Sequence, residues 1–260
     1  MRIPFTKAHG ARNDFLLTWA HEAPRDRLAE AAVAICDRHT GVGADGWLLV
    51  SPPAAGRAAA IRLFNPDGGE VEMSGNGTRC AAAFLIDAGL AESQLEIQTG
   101  GGLKRLRMLR RDGERFEFEM NMGRAAVEEE RATVQGWDAT ILNVGNPQCA
   151  VFVSDFGFDW RTAGMAIERD SRFPNRTNVS FVRVVDGHTI EVRFWERGAG
   201  ETMSSGTGST GAMAAAAARG EVRSPVRVET PAGPLELREE DGEILLVGPA
   251  EIVAAGEFYA

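Results

Sequence analysis

Residues 195–220 read W-E-R-G-A-G-E-T-M-S-S-G-T-G-S-T-G-A-M-A-A-A-A-A-R-G. This pattern predicts the end of a strand, a glycine-rich turn over Ser205-Gly206-Thr207-Gly208, and an alanine-rich helix that ends at Gly220. The first backbone N–H groups of a helix have no partner inside the helix and carry partial positive charge, so they bind anions readily. Glycine in the turn lets a ligand approach the backbone closely. The stretch therefore predicts an anion site at the start of a helix.

A second copy of this stretch occupies residues 64–89, which read F-N-P-D-G-G-E-V-E-M-S-G-N-G-T-R-C-A-A-A-F-L-I-D-A-G. Ser74 lies 131 positions before Ser205. The same offset also aligns Gly69 with Gly200, Glu70 with Glu201, Gly75 with Gly206, Gly77 with Gly208 and Gly89 with Gly220. So many coincidences without a gap indicate two homologous halves. Two such turns facing each other would hold one anionic ligand between Ser74 and Ser205.

Composition excludes several classes of function. The chain has 260 residues, 44% of them hydrophobic and 25% charged, which is typical of a soluble globular protein. Its net charge of -9 argues against nucleic acid or an anionic membrane surface as a partner. No apolar run approaches the roughly 20 residues of a membrane span, and the N-terminus lacks the apolar core of a signal peptide. We therefore expect a cytoplasmic protein.

The scarcity of certain side chains also limits the chemistry. The four histidines have no metal-binding spacing, and the three cysteines are scattered, which suits a reducing compartment. Lys7 and Lys104 are the chain's only lysines, and neither lies in a glycine-rich turn. Because a pyridoxal-phosphate enzyme needs a lysine for its Schiff base, that cofactor is not expected. We expect no metal and no organic cofactor.

Alternating patterns and turn signals predict a chain that is mostly β. Strands are predicted at residues 3–8, 15–19, 47–50, 59–64, 95–99, 103–109, 116–120, 140–144, 149–153, 178–184, 188–195, 226–230, 235–238 and 243–247. Besides the helices that follow the glycine turns, helices are predicted at residues 24–39 and 160–167. The acidic segment 123–130 is taken as the boundary between the halves. The prediction is an α+β fold in which each half threads a helix against its sheet.

Eight short motifs occur in order along nearly the whole chain. They are Asn13-Asp14-Phe15, Gly41-x-Gly43-x-Asp45-Gly46, Asn65-x-Asp67-Gly68, Gly75-Asn76-Gly77-x-Arg79-Cys80, Gly145-Asn146-Pro147, Asn178, Glu196-Arg197-Gly198-x-Gly200-Glu201-Thr202 and Gly206-Thr207-Gly208. Together they resemble the motifs of diaminopimelate epimerases, members of the cofactor-independent racemase and epimerase group. The resemblance implies two pseudo-symmetric domains, residues 1–120 joined by residues 250–260, and residues 121–249. Each would be a barrel-like, mainly antiparallel sheet around a central helix, with the substrate in the cleft. A homodimer is also implied.

The resemblance further implies an isomerase that converts LL- to meso-2,6-diaminopimelate, for lysine and cell-wall precursor biosynthesis. One group would remove the α-proton and a second would return a proton to the other face, while the helix N-termini stabilise the developing charge. The implied catalytic positions are Ser74 and Ser205. The residues implied to hold the α-carboxylate are Gly75, Asn76, Gly206 and Thr207. Those implied to hold the amino groups and the distal carboxylate are Asn13, Asn65, Asn146, Asn178, Glu196 and Arg197.

This sequence departs from the family pattern at its catalytic positions. The family has a cysteine at each, where this chain has Ser74 and Ser205. A thiol has a pKa near ~8.5 and ionises readily at a helix N-terminus, whereas a serine hydroxyl needs its own proton acceptor to act as a base. Gln148 stands where the family has a histidine, and an amide cannot take up a proton.

Three hypotheses about activity therefore remain open. The chain could be an inactivated epimerase that binds its substrate without turnover. It could epimerise through serine or another acid–base group. It could also be an isomerase of the phenazine-biosynthesis type, which uses a carboxylate such as Glu70, Glu201 or Asp67 as base.

Each of these motifs also has a purely structural interpretation. Ser74 and Ser205 could be ordinary helix N-caps, a position that serine favours. Glu196 and Arg197 could form an ion pair at a strand end. The pattern Gly206-x-Gly208-x-x-Gly211 matches a dinucleotide fingerprint, but no acidic residue follows at the end of a next parallel strand, so nucleotide binding is not predicted.

Overall fold

The chain folds into two compact units. The computed structural model describes residues 2–54 and 57–260. Unit 1 comprises Met1–Met120 and Gly248–Ala260, and unit 2 comprises Asn121–Val247. Within the described ranges no helix is long and apolar enough to cross a membrane.

Strands outnumber helices throughout the described chain, which confirms the predicted α+β class. In chain order the elements are β1 (Arg2–Gly10), β2 (Asn13–Trp19), α1 (Leu28–Cys36), β3 (Gly46–Ser51), β4 (Ala59–Phe64), β5 (Glu70–Val71), α2 (Gly75–Asp87), β6 (Gln94–Thr99), β7 (Gly102–Asp112), β8 (Arg115–Gly123), β9 (Ala126–Val134), β10 (Trp137–Asn143), β11 (Pro147–Phe152), α3 (Trp160–Glu168), β12 (Asn178–Asp186), β13 (Thr189–Glu196), β14 (Gly200–Thr202), α4 (Gly206–Ala218), β15 (Val226–Thr230), β16 (Gly233–Glu240) and β17 (Glu243–Tyr259).

Unit 1 is a closed sheet around a helix. Strand β1 pairs antiparallel with β2 and β17, β2 runs parallel to β3, and β3 pairs antiparallel with β4. The ring continues through β6, which is parallel to β4, to β7 and β8, and β8 pairs with β17. Helix α2 is buried along its length from Gly75 to Ile86. Its run of alanines after Cys80 lets a helix fit inside so small a ring, because alanine combines high helix propensity with little volume.

Unit 2 repeats this design. Its sheet runs from β9 through β10, β11, β12 and β13 to β15, β16 and the start of β17, with parallel pairs only at β11–β12 and β13–β15 among the pairings described. Helix α4 is buried continuously from Gly206 to Met213. Helix α3 packs outside, where Trp160 and Ile167 join a core that includes Phe181.

The sequence repeat appears in the structure as two matched helices. Helices α2 and α4 both span 13 residues, and both begin one residue after a serine N-cap. Ser74 has φ -129° and ψ 125°, and Ser205 has φ -136° and ψ 122°. Gly89 and Gly220 follow the helix ends with φ of 69° and 73°, a backbone region that glycine adopts without strain.

The largest errors in predicted extent concern one helix and one strand. Helix α1 covers Leu28–Cys36 instead of residues 24–39, because Arg27 before it is left-handed and Asp37 after it accepts hydrogen bonds from the backbone of His39 and Thr40. Such a side-chain turn competes with helix continuation. Strand β17 covers 17 residues instead of residues 243–247, since it pairs first with β16 and then with β1.

The acidic segment expected at the boundary is largely a strand. Residues 126–131 are all exposed, yet they belong to β9, which pairs antiparallel with β10. An exposed strand carries no alternation of apolar and polar residues, so its sequence lacks the usual strand signal. The short strands β5 and β14, which precede the two glycine turns, were also not predicted.

Candidate active site

The N-terminus of α2 begins at a serine N-cap. The Ser74 hydroxyl oxygen accepts a hydrogen bond from the Gly77 N–H at 3.1 Å, which leaves its proton available to another group. A side chain at Gly77 would lie 3.3–3.4 Å from Leu48 and Phe15. The N-cap thus combines a hydroxyl with backbone N–H groups in a tightly packed turn.

Two of the predicted binding residues of unit 1 contact each other directly. Asn76, in the first turn of α2, donates from Nδ2 to Oδ1 of Asn13 at 3.2 Å. Asn13 in turn donates from Nδ2 to Oδ2 of Asp45 at 2.8 Å. On the other side, Oδ1 of Asn76 accepts from Nη2 of Arg79 at 2.5 Å. Four side chains therefore form one hydrogen-bonded series.

A cluster of charges supports Asp45 and the start of β2. Asp14 accepts from Arg38 Nη2 at 2.8 Å and lies 3.0 Å from Lys7 Nζ. Arg38 also donates to Asp45 at 2.6 Å. Burial opposes ionisation of Asp14, but the hydrogen bonds and charges of Arg38 and Lys7 outweigh it and hold the pKa of Asp14 below its ordinary value. Asp14 is therefore ionised at neutral pH.

The N-terminus of α4 differs because a carboxylate lies directly on its serine. The Ser205 hydroxyl accepts from the Gly208 N–H at 3.1 Å and donates to Oε2 of Glu196 at 3.0 Å. The other oxygen, Oε1 of Glu196, accepts from the Thr202 hydroxyl at 2.6 Å. Ser205 is buried, so this contact is shielded from water. A serine oxygen with a neighbouring carboxylate can act as a base, because the carboxylate takes up the hydroxyl proton.

Predicted binding residues also meet around the first turn of α4. Gln148 donates from Nε2 to Oδ1 of Asn146 at 2.7 Å, and Nδ2 of Asn146 lies 3.5 Å from the Thr207 hydroxyl. Asn178 donates to the carbonyl of Pro147 at 3.0 Å and accepts from the backbone N–H of Arg197 at 3.1 Å. Gln148 is buried, and its Oε1 has no partner within residues 2–54 and 57–260. Gln148, which stands where the family has a histidine, thus orients Asn146 through its side-chain amide.

Asn65 lies in the turn that leads to β5, apart from these contacts. Its backbone N–H donates to the carbonyl of Gly69, and its carbonyl accepts from Gly68. The offset of 131 residues aligns Asn65 with Glu196, so the two halves carry an amide and a carboxylate at equivalent positions.

The carboxylates suggested as alternative bases are committed to other partners. Glu70 pairs with Arg62 through two hydrogen bonds of 2.8 and 2.7 Å, and this contact lowers its pKa. Glu201 pairs with Arg161 in the same way, at 2.5 and 2.8 Å. Asp67 accepts from the Gly69 N–H at 2.8 Å. The lowered pKa makes Glu70 a poorer proton acceptor, and the other two carboxylates already hold hydrogen-bond partners outside the two helix N-termini.

Sequence reasoning quoted Asp45, Arg79 and Thr202 within motifs but gave them no role. Each contacts a predicted site residue: Asp45 contacts Asn13, Arg79 contacts Asn76, and Thr202 contacts Glu196. Their presence inside the motifs was the available signal. Their roles depend on tertiary contacts that spacing along the chain does not reveal.

Comparison with known proteins identifies the family. The sequence profile of the diaminopimelate epimerase family matches residues 5–128 and 140–253. The diaminopimelate epimerase of Moorella thermoacetica is 37% identical over 276 residues, which cover 98% of this chain and 98% of that protein. The diaminopimelate epimerase of Synechococcus elongatus is 38% identical over 279 residues, again with 98% of each chain covered.

Solved structures share the fold at lower identity. A hydroxyproline epimerase from Agrobacterium vitis superimposes with a TM-score of 0.75 at 17% identity, covering 98% of this chain and 92% of that one. A PhzF-family phenazine biosynthesis protein from Bacillus anthracis gives a TM-score of 0.74 at 14% identity, with 100% of both chains covered. The ordered motifs, the repeated helix N-termini and these matches lead to one conclusion: the chain belongs to the diaminopimelate epimerase family.

Proposed function

We propose that this chain interconverts LL- and meso-2,6-diaminopimelate by moving a proton at one α-carbon. The observation that carries the proposal is the hydrogen bond from Ser205 to Glu196 at the N-terminus of α4, matched by Ser74 at the N-terminus of α2. Relatives that bear the name diaminopimelate epimerase along their full length support the choice of substrate. The proposed substrate is a small molecule, and the reaction needs no metal or organic cofactor.

Proton removal is assigned to Ser205 together with Glu196. The α-C–H bond breaks as the Ser205 oxygen takes the α-proton, and the hydroxyl proton of Ser205 passes to the Glu196 carboxylate. A hydroxyl alone is too weak a base for this step, so the 3.0 Å contact with Glu196 is essential to the proposal. The charge left on the substrate spreads into its carboxylate, which backbone N–H groups at a helix N-terminus stabilise.

Proton return is assigned to Ser74. Its hydroxyl donates to the opposite face of the carbanion, and a new C–H bond forms with inverted configuration. Ser74 then regains a proton from water, and Glu196 releases its proton to water. The Gly77 N–H, at 3.1 Å, stabilises the oxygen anion formed on Ser74 in this step.

Substrate binding is assigned to the remaining predicted residues. The α-carboxylate is held at the two helix N-termini by Gly75, Asn76, Gly206 and Thr207. The amino groups and the distal carboxylate are held by Asn13, Asn65, Asn146, Asn178, Glu196 and Arg197. An arginine matches a carboxylate in geometry as well as charge, so Arg197 suits the distal end of the substrate.

Incubation of LL-diaminopimelate with the protein in deuterated water tests the proposal. We expect deuterium at one α-carbon together with formation of the meso isomer, measured by mass spectrometry and chiral chromatography. Binding in calorimetry without any deuterium uptake would instead identify an inactive, ligand-binding relative. Loss of turnover in Glu70→Gln or Glu201→Gln, with Ser74→Ala still active, would favour a carboxylate-base isomerase.

A homodimer in the cytoplasm forms part of the same proposal. The family resemblance supports both the dimer and the location. Light scattering on the purified protein, with and without diaminopimelate, measures the assembly directly: a mass of twice the 28.0 kDa chain is expected.

A further inference from the structure

Arg79 is an unusual residue to find in the centre of a barrel. Its side chain is fully buried, and its Nη1 has no hydrogen-bond partner within residues 2–54 and 57–260. Across the same ranges no carboxylate lies within ion-pair distance of it. A side chain at Gly248 would place its Cβ 2.9 Å from the guanidinium carbon, so the observed position of Arg79 depends on glycine there. Burial lowers the pKa of Arg79 to about 10, which still leaves it charged at neutral pH.

Burying a charge without an ionic partner costs free energy, so hydrogen bonds to polar groups must offset that cost. Arg79 donates from Nε to the carbonyl of Pro249 at 3.0 Å and from Nη2 to Oδ1 of Asn76 at 2.5 Å. The second bond connects it through Asn76 and Asn13 to the carboxylate of Asp45. We call this series of four side chains the amide relay.

The two ends of the amide relay determine the orientation of both amides. A carboxylate only accepts hydrogen bonds, so Asn13 must point its Nδ2 at Asp45 and its Oδ1 at Asn76. A guanidinium only donates, so Asn76 must point its Oδ1 at Arg79 and its Nδ2 at Asn13. Every bond therefore runs in the same direction, from the cation to the anion, and neighbouring bonds in such a series strengthen one another.

Asp45 is itself held firmly. It accepts from the backbone N–H of Asp14 at 3.1 Å and from Arg38 at 2.6 Å. The anionic end of the amide relay is therefore oriented by the backbone of β2 and by a cation.

The amide relay matters because Asn76 lies at the anion-binding end of α2. If the Asn76 amide turned over, its Oδ1 would face Oδ1 of Asn13 and its Nδ2 would face Arg79, so both bonds would be lost. An oxygen in place of an N–H donor would also repel an anion at that end of α2. We infer that Arg79 and Asp45 are positioning residues that hold the Asn76 and Asn13 amides in the one orientation that accepts the carboxylate and amino group of an amino-acid substrate. This inference rests on the proposed function for the identity of the ligand.

Unit 2 has no equivalent of this arrangement. The offset of 131 residues aligns Arg79 with Thr210 and Asn76 with Thr207, whose hydroxyls can each donate or accept a hydrogen bond. The Thr210 hydroxyl donates to the backbone carbonyl of Gly206 at 2.8 Å. The need for a buried cation is therefore specific to the half that uses an asparagine amide.

Two substitutions at Arg79 separate positioning from packing. Arg79→Lys keeps a charged donor that can reach Asn76, whereas Arg79→Met keeps the bulk and removes the donor. The dissociation constant of meso-diaminopimelate is measured by calorimetry, alongside KM and kcat for both variants. We expect Arg79→Met to raise the dissociation constant and KM about tenfold, as for the loss of a hydrogen bond to a charged group, and Arg79→Lys to recover most of the loss.

Amide NMR on ligand-free protein tests the relay independently of the substrate. In protein labelled with ¹⁵N at asparagine, Arg79→Met should shift the side-chain resonances of both Asn76 and Asn13, while Arg79→Lys should leave Asn13 near its wild-type position. Unchanged Asn13 resonances in folded Arg79→Met, or wild-type affinity of that variant, would overturn the inference. If wild-type protein binds no diaminopimelate, the proposed function fails, and the NMR shifts still decide the relay.

Exchanging the amide and the carboxylate at positions 13 and 45 tests the bond between these two residues. Asn13→Asp alone places two carboxylates in contact with each other and should weaken ligand binding and stability. Asn13→Asp combined with Asp45→Asn restores a donor between positions 13 and 45, so stability should largely recover. If the double variant is no more stable than Asn13→Asp, the bond between these two residues does not hold the amide as inferred.

Discussion

The N-termini of α2 and α4 have the same backbone conformation, but their charged residues lie in different places. At α4 the carboxylate of Glu196 accepts directly from the Ser205 hydroxyl at 3.0 Å. At α2 the charges of Arg79 and Asp45 stand at the ends of the amide relay, and Ser74 caps the helix through Gly77. The two halves therefore share their glycine-rich turns but differ in the charged residues that support them.

This difference suggests a division of labour. A serine next to a carboxylate suits proton removal, and an amide fixed by charges suits binding and orienting a carboxylate. Two replacements among the proposed site residues and their partners carry this difference: Asn65 in place of Glu196, and Arg79 with Asn76 in place of Thr210 with Thr207. Removing these differences one at a time should reveal how much each contributes.

The largest effect is expected from Glu196→Gln. This change keeps the shape of the side chain but removes the proton acceptor for Ser205, so kcat should fall by about 100- to 10,000-fold. Steady-state kinetics with LL-diaminopimelate measure it. Glu201→Gln, which alters an exposed carboxylate paired with Arg161, is the matched control and should change kcat less than about threefold. Equal losses in both variants would remove Glu196 from the proposed role.

The double substitution Ser74→Cys with Ser205→Cys should act in the opposite direction. A thiol with a pKa near ~8.5, lowered further at a helix N-terminus, reaches its ionised form far more easily than a hydroxyl. We expect kcat/KM to rise by about tenfold or more. The two single variants should rise less, because one hydroxyl then still limits one of the two proton transfers. A drop in activity would indicate that the site is built around oxygen.

Serine-to-alanine variants compare the two N-caps by stability. Ser74→Ala should lower the free energy of unfolding by roughly 1 kcal/mol through loss of the cap. Ser205→Ala should cost about 1 kcal/mol more, since it also removes a buried hydroxyl donor from the half-buried Glu196 carboxylate. Urea titration followed by circular dichroism measures both, with the exposed Ser154→Ala as a control expected to be near neutral. Equal costs would argue against a strong contact between Ser205 and Glu196.

The smallest effect concerns acid stability. Arg38 and Lys7 hold the folded-state pKa of Asp14 below its ordinary value of 3.8, so this stabilisation is present above pH 4 and is lost as the pH falls through the folded-state pKa. In Arg38→Met the free energy of unfolding should therefore fall less steeply with decreasing pH in that acidic range. Arg219→Met removes the ion pair with Asp138 in unit 2 and should change this pH dependence less. The reason is exposure: the Asp138 side chain is 57% exposed and that of Asp14 is 15% exposed.

The sequence predicted the backbone of both sites well. Serine, glycines and an alanine run define α2 and α4 locally, so their positions follow from short-range preferences. The amide relay was not predictable, because Asn13 contacts Asp45, 32 residues away, and Asn76, 63 residues away. Which end of an amide faces which neighbour depends on such distant contacts. Strand β9 was not predicted for another reason: its exposed, acidic residues show no alternation of apolar and polar side chains.

The early time course of isotope exchange in deuterated water tests most directly whether two different groups move the proton. Deuterium is measured separately in the remaining LL-diaminopimelate and in the newly formed meso isomer, before about a tenth of the substrate has reacted. If Ser205 with Glu196 removes the proton and Ser74 supplies its replacement, the meso isomer should carry solvent deuterium while the LL isomer stays unlabelled. Equally fast labelling of both isomers, or of neither, would contradict this assignment.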